Sequence, residues 1–477
     1  MKKVKFIFFI LVFTFYSCDN SNNLSLIDLP AEDNQELSEF NVLQEDAIRV
    51  ANMFSVDASN NIATQSTKQS IEKTLKEVFT LQAENNTPCM YVVNYNNNEG
   101  FVIVSATKKY LPVLAYSDKG NFIMSDNMPL GLTEWIYENK CIIDYQINNA
   151  TDVEISQYIQ AWKVYDKKEV ALSMQLMRAS IDDAMWNEMS YWRNQGYSVS
   201  QLDFHCHDLP PDVCSNFHAQ AAGCICPIYD YQQYSLLLRK DVENVTMNKN
   251  ALLTTQWDQN YPYNLALTLI SGQLPPLGCS AVALGQVMAY HQHPNTYNWT
   301  TILSQGGFSS LTQNFLKDVA IAINTTFTLN GSSAYFSDVA TALKNTYGYS
   351  STVSIIAHNS ATVRSQLNLN QPVIMVGERL NPVPNDPKIG HAWVCDGYKT
   401  HDFYVEYLLR IPDCMDQYNT IKSYQHNCSV FYYYHMNWGW GGTADGWFFS
   451  ENVNPVLSTG MRDYQYNRYD MINIKKT

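Results

Sequence analysis

Residues 275–294 read PPLGCSAVALGQVMAYHQHP, and both the fold and the chemistry of the chain turn on them. Pro276 and Gly278 precede Cys279. Ala281, Leu284, Met288 and His291 then recur at helical spacing until Pro294 closes the run. The spacing predicts a buried helix that Cys279 opens. At a helix start the unpaired N–H groups and the positive end of the dipole favour thiolate, the reactive form of cysteine. Ala281, Ala283 and Gly285 let neighbouring chain pack close to it. Free cysteines also serve as small buried hydrophobes, so on this motif alone a structural and a catalytic cysteine stand level.

A thiolate nucleophile needs a base. Residues 389–398, IGHAWVCDGY, offer His391, with Trp393 and Cys395 on the same face of an expected strand and PVIMVGE (372–378) as its neighbour. His391 follows a glycine and a loop, so it sits where a strand begins and a side chain can reach a cleft. The segment YYYHMNWGWGGTADGWFF (432–449) runs an apolar strand into Asn437 and Trp438. Asn437 could hydrogen-bond the imidazole and orient it, with an adjacent indole keeping water away. An aromatic hairpin core is the plainer reading, and both can hold. Upstream, TTQWDQNYPYN (254–264) contains Gln259, whose amide, with the Cys279 N–H, would supply two donors for a tetrahedral oxyanion. Gln256 is the rival.

Outward from these motifs, the 477-residue chain is apolar enough for two or three cored domains. A net charge of -14 with no basic run argues against a nucleic-acid surface. The first half reads as α+β. EDAIRVANMF (45–54) has helical spacing, MYVVNY (90–95) and FVIVS (101–105) flank a hairpin turn, LPVLAYSDKGNFIM (111–124) continues the meander, and 132–147 and 173–192 are amphipathic. Residues 236–250, LLLRKDVENVTMNKN, read as a polar connector of the kind proteases cut, and the boundary to the second domain is placed there.

The amino terminus has Lys2, Lys3 and Lys5 before the apolar run FIFFILVFTF and then Tyr16, Ser17 and Cys18. That run is too short to span a membrane and fits a signal-peptide core. Ser17-Cys18 resembles the lipobox of bacterial lipoproteins, which makes Cys18 an expected lipid-attachment site; an ordinary cleavable signal is the alternative. Residues 19–35 read as a flexible tether. Eleven cysteines in an exported chain permit disulfides. The stretch 205–226, with four cysteines and three histidines, suits a disulfide-stapled loop better than a zinc site, since its spacing matches no closed zinc template.

The order Gln259, Gly278-Cys279 opening a helix, Gly390-His391 on a strand, then Asn437-Trp438-Gly439 is similar to the papain plan. QNYPYN, GCSAVALGQVMAYHQHP, GHAWVCDGY and NWGWGGTADGWF together resemble the streptopain family of bacterial cysteine peptidases. YVVNYNNNEGFVIVSATKKYLPVLAYSDKGNF (91–122) resembles that family's inhibitory propeptide domain. After the signal peptide read over 1–18, the resemblance implies an α+β chain with a propeptide domain over 19–245 and a papain-like two-lobe catalytic domain over 246–477. It implies Cys279 as nucleophile, His391 as general base and acid, Gln259 as oxyanion donor, and Asn437 and Trp438 orienting and shielding His391. No metal or organic cofactor is implied. Two departures stand out: the Cys-rich segment, and residues 399–430, where Cys414 and Cys428 could pair.

The expected function is a secreted, lipid-anchored cysteine endopeptidase made as a zymogen. Its partners would be protein or peptide substrates and its own propeptide, with no nucleic acid, and with membrane contact through the lipid anchor alone. A non-catalytic binding or inhibitor protein on the same scaffold, and a transpeptidase passing the acyl group to an amine, are the competing readings.

Overall fold

The computed structural model describes residues 39–62, 73–83, 86–124, 128, 130–166, 190–201, 204–205, 209, 211–221, 233–234, 236–379, 389–411, 420–449 and 468–477. The readings of signal peptide, lipid acceptor Cys18 and tether lie outside these residues, as does most of the helix expected over 173–192.

Helix α1 (Gln44–Ile62) carries Glu45 and Asp46 in its first turn, where carboxylates meet the positive end of the dipole. The expected meander follows as strands β1 (Leu75–Gln82), β2 (Pro88–Tyr95), β3 (Phe101–Ser105) and β4 (Val113–Ser117), each antiparallel to the next. Asn97 and Asn98 make its tight turn at φ 57°, a conformation asparagine tolerates. Helices α2 (Leu130–Asn148) and α3 (Asp152–Trp162) come next, and the Glu154 carboxylate caps α3 by accepting from the Thr151 N–H at 2.7 Å. Short strands β5 (Ser198–Gln201) and β6 (Phe204–His205), helix α4 (Pro211–Ala221) and strand β7 (Gln233–Tyr234) lead to β8 (Leu236–Lys249).

The second half begins with α5 (Cys279–His291), α6 (Trp299–Gln305), α7 (Ser310–Ala322) and α8 (Phe336–Asn345). Strand β9 (Ser354–Ala357), helix α9 (Ser360–Asn368), and strands β10 (Val373–Arg379), β11 (Ile389–Ile411), β12 (Thr420–Asn437), β13 (Gly446–Phe449) and β14 (Tyr469–Ile472) complete it. The main sheet runs β1-β2-β3-β4-β13-β12-β11-β10-β14-β9, with β8 joined to β11 and β5. Trp447 opposite Tyr116 and Phe448 opposite Ala115 splice the meander onto the second-half sheet, so both halves share one α+β framework from Phe40 to Thr477.

Strand β11 separates two cores. Trp393 and Cys395 face the core that contains the meander, α1 and α2, whereas Ala392 and Val394 face the core built on α5 and α7. A strand buried on both faces reads as a continuous apolar run rather than an alternating one, and WVC within GHAWVCDGY is such a run. The helical lobe bearing Cys279 thus packs against the sheet lobe bearing His391, as the papain plan implies.

Three expectations change. Residues 236–249 are not an exposed connector: as β8 they pair with 398–410 of β11, and β5 pairs along 237–239. The mixed apolar, charged and polar residues of LLLRKDVENVTMNK fit a polar linker and a strand equally well. The boundary drawn at residues 245 and 246 falls inside this strand. Within the departure at 399–430, residues 399–411 and 420–430 belong to the β11–β12 hairpin, through pairs such as Phe403 opposite Ser429. Cys428 is a free thiol whose Sγ lies 3.7 Å from the His426 carbonyl, so the staple proposed with Cys414 does not form; Cys414 itself is outside the described residues. Within the Cys-rich stretch, Cys214 sits on α4 and is disulfide-bonded. Among the described residues no helix is long and apolar enough to cross a membrane.

Candidate active site

Gly278 precedes α5 at φ +92°, and a Cβ there would come within 3.1 Å of the Ser332 carbonyl oxygen. Only glycine turns the chain at this point without strain. The turn delivers Cys279 to the first position of α5, a half-buried residue followed by ten buried ones, Ser280 to Ala289. A helix apolar on all sides is a core helix, which fixes the nucleophile's position from behind.

Cys279 is a free thiol. Its Sγ accepts a hydrogen bond from the Ala392 main-chain N–H at 3.3 Å and is hydrogen-bonded to His391. Burial pushes the thiol's pKa up, but the charge and hydrogen bond of His391, the Ala392 N–H and the Ser280 hydroxyl outweigh it, and the net shift is downward. The thiolate is therefore the favoured form at lower pH than for an ordinary cysteine.

His391 is 5% exposed, and its Nε2 lies 3.2 Å from the Trp438 carbonyl oxygen. A carbonyl can only accept, so this contact places a proton on Nε2 and leaves the other ring nitrogen for the sulfur. Asn437, read as the imidazole's partner, does not hold it. Its Nδ2 donates to the Thr255 carbonyl at 2.8 Å, and its Oδ1 accepts from Gln286 Nε2 at 2.9 Å. The expected orienting role falls instead on the next residue's backbone. The ring stacked against His391 is Trp393, at 6.2 Å and 13°, and Trp438 packs behind it at 5.4 Å. Trp438 is 1% exposed; its indole N–H donates to the Ala444 carbonyl and its main-chain N–H to Asp445 Oδ1.

Gln259 is brought to the nucleophile by backbone: the Leu277 N–H donates to the Gln259 carbonyl at 2.7 Å, two residues before Cys279. Its side chain is half-buried, whereas the rival Gln256 is exposed, and a Cβ on Gly442 would meet the Gln256 amide at 2.6 Å. The structure thus brings Cys279, His391 and the Trp438 carbonyl together, ties the Gln259 backbone to the chain just before the nucleophile, and engages Asn437 with Thr255 and Gln286 instead of the imidazole. Sequence reasoning missed the Ala392 N–H and the Trp438 carbonyl, because main-chain groups carry no residue signature. The histidine–aromatic alternation at 391 and 393 was the available signal for the stacked Trp393. Among the described residues, no group of three or more His, Cys, Asp and Glu side chains could hold a metal ion.

Residues 39–143 match the Spi protease inhibitor model, and residues 257–315 and 295–448 match the Peptidase C10 family. The thiol protease/hemagglutinin PrtT of Porphyromonas gingivalis is 28% identical over 253 residues, covering 44% of this chain and 25% of that protein. Streptopain of Streptococcus pyogenes is 27% identical over 268 residues, 45% of this chain and 58% of streptopain. The chain therefore spans about a quarter of the one relative's length and somewhat over half of the other's. Among solved structures, a prointerpain A fragment from Prevotella intermedia matches at TM-score 0.46 and 17% identity, covering 84% of this chain and 99% of that one. Active interpain A of the same organism matches at TM-score 0.33 and 21% identity over 48% and 95%. Residues 257–448 of the chain are thus like the streptopain-like Peptidase C10 family, and a region like the Spi protease inhibitor, residues 39–143, lies ahead of them.

Proposed function

We propose that this protein is a cysteine endopeptidase, made as a zymogen, that cuts protein or peptide substrates through an acyl-enzyme. The observation that carries the reading is the meeting of a free Cys279 thiol, at the start of a buried helix, with a His391 whose far nitrogen is held by the Trp438 carbonyl. The Cys279 thiolate attacks the peptide carbonyl, forming the C–S bond. The Gln259 amide and the Cys279 N–H receive the oxyanion. His391 passes its proton to the leaving amine as the C–N bond breaks, then takes a proton from the water that releases the acyl group.

The Spi-type region would hold this machinery off. Trp135 of α2 packs on Phe448 at 5.0 Å, and Phe448 packs on Trp438 at 5.2 Å, a chain of rings that ends on the residue clamping His391. The Trp135 indole also donates to the Phe449 carbonyl at 3.0 Å. We assign inhibition to residues 39–143, export to the amino-terminal signal and envelope anchoring to lipidation at Cys18. The test compares the chain with its Cys279→Ala variant for hydrolysis of unstructured peptides and for labelling by an irreversible thiol-directed peptidase probe. Hydrolysis and labelling lost together support the reading, turnover retained without the thiol overturns it, and amide products formed with an added amine would identify a transpeptidase.

A further inference from the structure

The amide of Gln286 is fully buried on α5, seven positions after Cys279, where a solvent-excluded polar side chain needs a reason. Its contacts run to both other catalytic segments. Gln286 Oε1 accepts from the Trp257 main-chain N–H at 3.1 Å, and Gln286 Nε2 donates to Asn437 Oδ1 at 2.9 Å. Asn437 spends its remaining capacity on the same knot, donating to the Thr255 carbonyl at 2.8 Å and accepting from the Gly439 N–H at 3.2 Å. The Gly441 N–H closes the circle by donating to the Trp257 carbonyl at 3.1 Å.

We infer that Gln286 is a positioning residue for catalysis: one side-chain amide ties the helix of Cys279 to the segment bearing Gln259 and to the segment whose Trp438 carbonyl clamps His391. The inference rests on the peptidase reading and deepens it. Three elements distant in sequence must hold nucleophile, base and oxyanion donor to within fractions of an ångström, and a small positional error costs rate steeply. A hydrophobic side chain of the same volume would fill the space but leave the Trp257 N–H without its acceptor and take from Asn437 Oδ1 the donor at 2.9 Å. Gln286 touches neither substrate nor sulfur. It acts through Asn437 and Trp257, which absorbs the Asn437 position into the mechanism by a route other than the imidazole bond first expected of it.

The test uses the full chain carrying Gln286→Leu or Gln286→Glu, with kcat and KM on a peptide and, independently, the pH dependence of Cys279 alkylation by iodoacetamide. For Gln286→Leu we expect kcat to fall about 10–100-fold with KM changed less than about threefold, and the alkylation midpoint to move to higher pH. Gln286→Glu restores one acceptor and one donor while its carboxyl is protonated and loses the donor on ionisation. Its activity relative to the parent should rise as pH falls. A merely structural glutamine would lower thermal stability without that pH-dependent ratio or the shifted alkylation profile. Parent-like kcat and alkylation in both variants would overturn the assignment. Should Gln286→Leu not fold, the Gln286→Glu ratio decides by itself. A parent chain that alkylates normally at Cys279 but cleaves no peptide would sink the peptidase reading, while the alkylation profiles would still decide the role of Gln286.

Discussion

The main-chain N–H of Ala392 points at the sulfur of Cys279 across 3.3 Å, so the strand that carries His391 donates to the nucleophile a second time, one residue further on. Two donors from one strand make sulfur ionisation depend on β11 being in place. Alkylation of Cys279 should accordingly titrate below the ordinary thiol range, because burial is outweighed by His391 and Ala392. His391→Ala should move that midpoint upward and lower kcat/KM by about 10²–10⁴-fold. A midpoint unchanged by the substitution would refute the pairing.

The two candidate oxyanion donors are separable. Gln259→Ala should reduce kcat by about 10²–10³-fold with little change in KM. Gln256→Ala, at an exposed side chain resting on Gly442, should stay within about threefold of the parent, in the range of surface substitutions. The opposite ranking in steady-state kinetics would exchange their roles.

Gly278→Ala is expected to destabilise the chain by about 1–3 kcal/mol, since it forces a side chain into φ +92° and against the Ser332 carbonyl. Because the strain sits immediately before Cys279, activity should fall further than thermal stability alone accounts for. Denaturant melts run beside kinetics would show whether the two losses separate.

Acid should loosen the Spi-type domain. His401 on β11 is fully buried, with Nε2 3.1 Å from the Tyr116 hydroxyl of β4 and Nδ1 2.6 Å from Glu243 of β8. Lys399 and Asp402 on its own strand, Tyr433 on β12 and Phe54 on α1 complete its surroundings. Burial lowers its pKa despite the Glu243 carboxylate, so the docked histidine binds fewer protons than a released one. Docking is then complete above the ordinary histidine value of about 6.5 and weakens as pH falls through it. In the Cys279→Ala chain, protection of the β4 amides relative to their intrinsic exchange rates should fall below pH of about 6, and His401→Gln should flatten that dependence. Protection that ignores pH in the Cys279→Ala chain would count against it.

Asp445 works in the reverse sense. Burial, together with the nearby Asp396, raises its carboxyl to about 7 against the Trp438 N–H and His435, which lower it. A carboxyl raised in the folded state is a liability that grows as pH climbs from the ordinary carboxylate range through that value. Asp445→Asn keeps an acceptor for the Trp438 N–H, held at 2.9 Å, and removes the charge. Its melting temperature should gain on the parent's as pH rises from about 4 to 7, then level off; a constant difference would contradict the buried charge.

Local sequence determined the parts. Helical spacing after Gly278-Cys279 set α5, apolar residues on either side of the turn Asn96 to Gly100 set β2 and β3, and four ordered motifs pointed to Cys279, His391 and Gln259. Tertiary structure decided how the parts meet. Whether 236–249 was connector or strand depended on β11 being there to pair with it, a partner some 150 residues away along the chain. The group that clamps His391 was equally hidden, because a backbone carbonyl belongs to every residue and only the fold aims the one at Trp438. Burial did the rest: the same Gln286, Asp445 and His401 would be unremarkable in water, and they acquire roles once solvent is excluded and each polar atom must find a partner inside.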